Sequence, residues 1–307
     1  MIKKVCIIGG NGFLGTKYIE LTNKKNLDII VFDKKVIKKK SNIKYIYGDC
    51  LSKKTLKKIP NKIDILIYMV GQVGGPGSLN IDNLENYFVN NCQTLINFLE
   101  NVKTKSIKKI IFFSTEHVYG DNYRNLDNHL KTEQQPKNFY GVTKLISEKI
   151  LKNFYNKNKI NIDVLRFPRI INQGDNSLLT NLISTVLKKK ILKIDAVNTK
   201  FNFLHASDFI KAIDCCSTKI NTGFRILNIF NCDKPLNLKQ ITEIIKKTFK
   251  IKFLVKYKKK SNKLTHNPNE LVLSNKRLNK NKINWIPSLN NKDIIKKIYL
   301  HELKKYT

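Results

Sequence analysis

A phenol and an ammonium four residues apart, Tyr140 and Lys144, open a segment of helical character, so both fall on one helix face. A cation beside a phenol draws its pKa from about 10 toward neutrality. Such a phenol can pass a proton at a hydroxyl-bearing carbon while hydride moves to a nicotinamide. The Y-x-x-x-K spacing recurs in many chains as a surface pair and gains meaning only beside a dinucleotide site. Gly9-Gly10-Asn11-Gly12-Phe13-Leu14-Gly15 offers one, with G-x-x-G-x-x-G at Gly9, Gly12 and Gly15. Glycines there permit a tight turn and close backbone approach to a pyrophosphate, and the residues that open the following helix, Phe13, Leu14 and Gly15, supply free N–H donors. Asp33 ends the next apolar run, 18 residues after Gly15. Its carboxylate can accept both ribose hydroxyls of the adenosine half and repels a 2′-phosphate, which favours NAD over NADP; Lys34 and Lys35 follow at once and weaken that preference. Asp49 suits either the adenine amino group or the turn before a helix beginning near Leu51.

These residues must be held by a scaffold, and the first 165 residues alternate strand and helix. Strands are expected at Lys4-Ile8, Asp28-Phe32, Ile43-Tyr47, Ile63-Val70, Lys109-Phe113 and Ile162-Phe167. Helices are expected from Gly12 to about Lys25, over Leu51-Ile59, from Leu84 to Val102 and from Tyr140 to Asn156. The strands are continuous apolar runs, as strands covered on both faces should be. The fold class is therefore α/β, a Rossmann-type doubly wound parallel sheet, with a smaller C-terminal α/β region. Residues 1–165 read as the NAD-binding domain and 166–307 as a substrate-binding region partly interleaved with it. In the second part, helices are expected at Leu178-Lys190, Ala206-Cys216, Leu238-Phe249 and Lys292-Lys305, with strands at Phe201-Leu204, Ile226-Phe230 and Ile251-Tyr257.

Composition bounds the setting. With 307 residues, 41% hydrophobic and 26% charged, the chain is neither disordered nor collagen-like. No apolar run approaches the roughly 18 residues of a membrane span, and the N-terminus lacks the long apolar stretch of a signal peptide. Six cysteines form no C-x-x-C pair, which points to reduced thiols and a cytoplasmic location, and the five histidines show no metal-ligand spacing. Lys plus Arg is 58 against 23 Asp plus Glu, a formal net charge of +35. Such a charge invites a nucleic-acid partner. Yet only five of the 58 are Arg, the lysines are spread along the chain, and Lys, Asn and Ile are inflated together, so a solvated lysine coat of compositional origin is the preferred reading.

Taken together, the glycine motif, Asp33, Ser114-Thr115, Tyr140 and Lys144 resemble, in order and spacing, the extended short-chain dehydrogenase/reductases of the NAD-dependent epimerase/dehydratase group. Further blocks resemble the same group: Val89-Asn90 before Thr94-Leu95, Val118-Tyr119-Gly120, Glu133-x-x-Pro136, Leu165-Arg166, Phe203-Leu204-His205-x-x-Asp208, Asn228-Ile229, Ser274-x-Lys276 and Trp285-x-Pro287. The resemblance covers essentially the whole chain. It implies tightly held NAD, a nucleotide-activated sugar as substrate, and a transient keto intermediate leading to epimerisation or dehydration. It also implies Tyr140 as proton carrier, Lys144 as its partner, Thr115 on the reacting oxygen, and a homodimer formed through the Leu84 and Tyr140 helices. The alternatives are an NAD(P)H-dependent keto-sugar reductase and a non-catalytic nucleotide- or RNA-binding protein on the same fold.

Four departures bear on specificity. Glu116 and His117 stand where the group's 4,6-dehydratases carry Asp then Glu, and where its 4-epimerases are usually small or neutral. Glu116 is a candidate acid or base and His117 a candidate substrate contact or base. The glycine-rich run Gly71-Gln72-Val73-Gly74-Gly75-Pro76-Gly77-Ser78 is expected to cover the nicotinamide, with Ser78 as a sugar contact. Arg169 replaces an Asn that often touches substrate and suits a phosphate or carboxylate. The stretch 195–203 lacks the glycines and Arg that help hold a nucleotide diphosphate in the group. His205 and Asp208 are expected to be structural, Trp285 to be core, and Tyr119 to be core or to pack near the nicotinamide.

Overall fold

Apolar runs that alternate between two sheet faces build the molecule. In the strand Lys3–Ile8 (β1), Val5 and Ile7 enter one core while Cys6 and Ile8 enter the other. The same division holds for Leu27–Asp33 (β2), Ile63–Tyr68 (β4), Ile107–Phe113 (β5) and Asn161–Arg166 (β6). With both faces covered, both parities of residue are mostly apolar, which is why the runs are nearly continuous; the buried exceptions Lys109 and Asp163 pair with each other. Lys44–Tyr47 (β3) and Phe224–Asn228 (β11) complete a seven-stranded parallel sheet in the order β11-β6-β5-β4-β1-β2-β3. The order reverses between β1 and β4, and in open α/β sheets ligands bind beyond the carboxyl ends of the strands at that point.

This computed structural model describes residues 2–22, 26–35, 40–103, 106–120, 133–194, 200–220, 222–231, 233–257 and 283–306. Residues 195–199 of the stretch 195–203, Ser274-x-Lys276 and the end of the helix expected from Gly12 to about Lys25, all noted above, lie outside them, as do His129, His266, Cys232, Arg124 and Arg277.

Around the sheet run the helices Phe13–Leu21 (α1), Lys53–Leu56 (α2), Leu84–Phe88 (α3), Thr94–Asn101 (α4), Phe139–Asn158 (α5) and, later, Ala206–Thr218 (α7). The expected single helix from Leu84 to Val102 is interrupted: Val89–Gln93 form a π turn between α3 and α4. Side chains take the carbonyls there, since Ser147 Oγ donates to Asn91 O (3.1 Å) and Thr94 Oγ1 to Asn90 O (2.8 Å). The Leu51-Ile59 helix is confined to α2, capped by Ser52.

After Arg166 the chain divides its side chains between two places. Phe209, Ile210 and Ile213 of α7, Leu227 of β11, and Ile283 and Trp285 join a core of the large sheet. The strand Arg169–Ile171 (β7), Leu178–Lys189 (α6), Ile191–Ile194 (β8), Lys200–Phe201 (β9), Phe203–His205 (β10), Leu236–Asn237 (β12), Leu238–Phe249 (α8), Leu254–Tyr257 (β13) and Asn291–Leu303 (α9) form a separate region. Its core gathers Ile171, Ile183, Phe203, Ile241, Ile295 and Ile298. The pairings β7·β10 and β8·β13 are parallel and β9·β12 antiparallel. The strands β7, β8 and β12 are too short to carry a period that sequence reading could detect.

Candidate active site

Everything with chemistry sits beyond the carboxyl ends of β1, β2, β4, β5 and β6. After β1, Gly9 takes φ +82°, a conformation that favours glycine. A Cβ on Gly15 would lie 2.3–2.5 Å from the backbone of Gly10, so α1 starts pressed against the loop that feeds it. A Cβ on Gly12 would meet only Gly9 O, at 3.5 Å. Gly12 is also the helix N-cap and offers no side chain, so the first-turn N–H groups keep no side-chain partner. Asn11 Oδ1 is buried without a partner in the same loop. Asp33 fastens this loop to β2, its Oδ2 accepting from Asn11 N (2.9 Å) and its Oδ1 from Lys35 N (2.8 Å). An uncapped helix start, an open glycine face and a carboxylate at the end of β2 fit a dinucleotide. Phe13 is 43% exposed at the mouth of the loop and Leu14 packs on the core. Asp49 turns one oxygen to Leu51 N (2.9 Å), with Lys34 Nζ 3.9 Å from the other, so it is a turn residue ahead of α2 with one oxygen facing outward.

After β5, Ser114 N donates to Leu165 O (2.8 Å) and Glu116 N to Phe167 O (3.0 Å), which extends the β5–β6 pairing and fixes Thr115 between them. Thr115 caps a 3₁₀ turn over Glu116–Tyr119 by accepting from His117 N (3.2 Å), and its side chain lies near Tyr140. Beneath, the carboxylate of Glu148 receives Ser114 Oγ and, in bidentate fashion, Arg166 Nε (3.0 Å) and Nη2 (2.6 Å). Asn138 starts α5: its Oδ1 accepts from Gly141 N (2.8 Å) and its amide nitrogen meets His117 Nδ1 (2.9 Å). The His117 ring stands edge-on to Tyr140, centroids 5.6 Å apart. Gly141 is required, because a Cβ would lie 2.5 Å from His117 O.

Thr115, Glu116, His117, Tyr140 and Lys144 are thus brought together, with one correction to expectation. Lys144 does not pull the Tyr140 phenol down. Its Nζ donates to Phe113 O (2.9 Å) and lies 4.9 Å over the Phe112 ring. Burial pushes Tyr140 up to about 12; the neighbouring Thr115 side chain works against that, and the nearby Glu116 and Tyr87 add to it. Burial also lowers Lys144 to about 8, with Cys92 and Glu148 opposing. The i, i+4 spacing sets the shared face, but the β5 carbonyl captures the ammonium.

Glu116 is only 8% exposed and accepts from Asn202 Nδ2 (3.2 Å). Burial raises its carboxyl to about 8, against the pull of Asn202 and Arg169, so at neutral pH it holds its proton. Arg169 begins β7, its guanidinium 5.7 Å from the Phe201 ring, close enough to Glu116 and Asp175 to feel both charges. The loop after β4 covers this cluster: a Cβ on Gly74 would lie 2.7 Å from Tyr140 Cδ1, and one on Gly71 3.0 Å from Lys144 Nζ. Ser78, by contrast, is fully buried and donates to Gly75 O (2.6 Å), so it shapes the loop from inside.

Residues 5–229 match the NAD dependent epimerase/dehydratase family. The chain belongs to that family. Among relatives, the dTDP-D-glucose 4,6-dehydratase of Dictyostelium discoideum is 28% identical over 277 residues, covering 77% of this chain and 62% of that protein. The N-acetyl-alpha-D-glucosaminyl-diphospho-ditrans,octacis-undecaprenol 4-epimerase of Escherichia coli is 26% identical over 248 residues, 78% of this chain and 71% of that one. The fold of the UDP-N-acetylglucosamine 4-epimerase from Methanobrevibacter ruminantium, solved with UDP-N-acetylmuramic acid, superposes with a TM-score of 0.84 at 20% identity over 99% of both chains. A Bacillus cereus UDP-glucuronic acid 4-epimerase solved with NAD gives 0.84 at 19%, covering 99% of this chain and 100% of that one.

Within this family fold, His205 caps α7 and meets Gln173 (3.2 Å), while Asp208 binds Ser288 and Leu289, so both are structural. Trp285 is core, and Tyr119 is core, its hydroxyl on Asn228 (2.8 Å) and its ring under Arg166. Sequence reading missed Asn138, Asn202 and Asn91. Asn138 carried a signal, an Asn three residues before Gly141 at a helix start; the other two act only across elements.

Proposed function

We propose that this chain is an NAD-dependent epimerase or dehydratase acting on a nucleotide-activated sugar through a transient keto intermediate. The carrying observation is Tyr140, set between the His117 ring and the Gly74 backbone beyond the carboxyl ends of the sheet, with Thr115 near enough to act on its phenol. Gly9, Gly12, Phe13, Leu14, Gly15, Asp33 and Asp49 are the residues that would hold NAD, which supplies hydride acceptance and return. Tyr140 would exchange a proton with the sugar hydroxyl once the positive charge of bound NAD⁺ brings its phenol down from about 12, and Thr115 would orient the same oxygen. Lys144 would help hold the cofactor beside Tyr140, and Arg169 and His117 would contact the sugar.

Glu116 favours dehydration. A buried carboxyl that keeps its proton at neutral pH can protonate a departing hydroxyl, a task for which an epimerase has no use. The test is to incubate the protein and NAD⁺ with a panel of nucleotide sugars and read products by mass and chromatography. A product lighter by one water supports the dehydratase, and unchanged mass with new retention supports the epimerase. Turnover that persists in Tyr140→Phe would remove Tyr140 from its role. A cytoplasmic homodimer completes the proposal. For the dimer, a groove between α4 and α5 lined by Ile96, Leu99, Ile150 and Phe154, with Glu100 and Lys157 beside them, suits a second copy.

A further inference from the structure

The histidine of the 3₁₀ turn is held by an amide that can point only one way. Asn138 is the N-cap of α5 and is 4% exposed. Its Oδ1 accepts from Gly141 N (2.8 Å). A backbone N–H only donates, so the amide oxygen must face Gly141 and the NH₂ group must face the other way. What the NH₂ group meets is His117 Nδ1, at 2.9 Å. An amide NH₂ also only donates. Nδ1 therefore accepts and is bare, and the proton of the neutral ring sits on Nε2. The ring is fixed in place as well as in tautomer. Its backbone N donates to Thr115 Oγ1 (3.2 Å), it stands edge-on to Tyr140, and its carbonyl lies where a Cβ on Gly141 would come within 2.5 Å.

From this order of donors and acceptors we infer that His117 serves the sugar site as a neutral hydrogen-bond donor through Nε2–H, and that Asn138 is the positioning residue that sets its tautomer. A base acting through Nε2 would need that nitrogen bare and the proton on Nδ1, which would bring N–H against N–H at Asn138. The group recognised is an acceptor oxygen on the sugar, a hydroxyl or a keto oxygen. A proton drawn from carbon in an elimination must then go to a group other than His117. The inference rests on the functional reading above and narrows it, because it separates the two roles that the position of His117 in the chain leaves open.

Nitrogen NMR of the histidine rings in the full chain reads the tautomer directly. At pH 8, where an ordinary imidazole is neutral, the His117 ring should show a protonated Nε2 and a bare Nδ1. Its signals are those that vanish in His117→Gln. A protonated Nδ1 in the unaltered protein would overturn the proposal. Asn138→Asp keeps the cap on Gly141 N but turns an acceptor toward Nδ1 in place of the donor, so the proton should move to Nδ1. A tautomer that stays where it was would remove Asn138 from its role. Turnover is the second readout. His117→Gln retains an amide N–H to donate and offers no base, so kcat/KM should stay within about 5-fold of the parent. His117→Leu offers neither and should lose about 10- to 100-fold. Equal losses in the two variants, as removal of a general base would give, would overturn the donor role. Absence of turnover in the unaltered protein would strike the functional reading alone, and the nitrogen spectrum would still decide the tautomer.

Discussion

Glu116 shows how one buried carboxyl ties stability to chemistry. Its folded value, about 8, lies above the ordinary 4.5 chiefly because burial disfavours the charge. Between those pH values the folded chain keeps a proton that the unfolded chain has lost. The group's contribution is therefore whole below about 4.5 and drains away as pH rises to about 8. Lys144 has its folded value lowered to about 8 from 10.5, so its cost is largest below 8 and is relieved as pH climbs toward 10.5. The two windows do not overlap, which lets one be read without the other. Glu116→Gln keeps the shape and the Asn202 contact but cannot ionise. Its Tm should exceed the parent's by roughly 3 °C or more at pH 8 and match it near pH 5. An equal shift at both pH values would assign the effect to packing. If Glu116 is the acid of a dehydration, parent turnover should also fall as pH rises through about 8, and the Gln variant should lose water elimination while still exchanging hydride.

Between elements, the two inner glycines of the first loop do different work. Gly15 is where α1 meets Gly10 backbone, and a Cβ at 2.3–2.5 Å has nowhere to go. Gly12 has open space beyond Gly9 O. Gly15→Ala should therefore lower Tm by about 5 °C or more, from a clash worth about 2 kcal/mol, and lose NAD⁺ binding with it. Gly12→Ala should leave Tm within about 1 °C yet weaken NAD⁺ binding about tenfold or more, by standing where a pyrophosphate must approach the backbone. Calorimetric Tm and a titration with NAD⁺ separate the two; equal Tm losses would mean that both glycines are only packing positions. Sequence reading could identify this loop because glycine spacing, strand and helix are all local. The sheet was legible for the same reason, since Val5 to Ile8 and Ile65 to Tyr68 are apolar without a break. The π turn was not legible, because what opens the ladder at Asn91 is a serine 56 residues away. Nor was the proton affinity of Glu116, which depends on burial beside Asn202 and Arg169 rather than on its neighbours in the chain. The Tyr140–Lys144 pair was legible as a pair, while the capture of Lys144 by Phe113 O needed the β5 end in place.

At the scale of the molecule the question is what the charge of +35 does. The acids are few, and several are withdrawn from the surface. Glu116, Glu148, Asp163, Asp208 and Glu302 are all below 9% exposed. Asp163 pairs with both buried Lys109 (2.5 Å) and Arg225 (2.6 Å) across β5, β6 and β11. Lys109, Lys144, Arg166 and Arg225 are buried with them, so nearly the whole positive excess falls on the other residues, and like charges there repel in the compact state. Added salt shortens the reach of that repulsion from about 10 Å at 0.1 M to about 3 Å at 1 M. Tm should therefore rise by about 3 °C or more between roughly 20 and 500 mM NaCl, in steps that follow the screening length. The same field draws in anionic ligands, so NAD⁺ and any nucleotide sugar should bind about 3- to 10-fold more weakly over the same range. The two trends have opposite sign and one cause. A Tm that ignores salt while affinity still falls would confine the electrostatics to the ligand cleft, and would make the lysine coat energetically neutral for the fold.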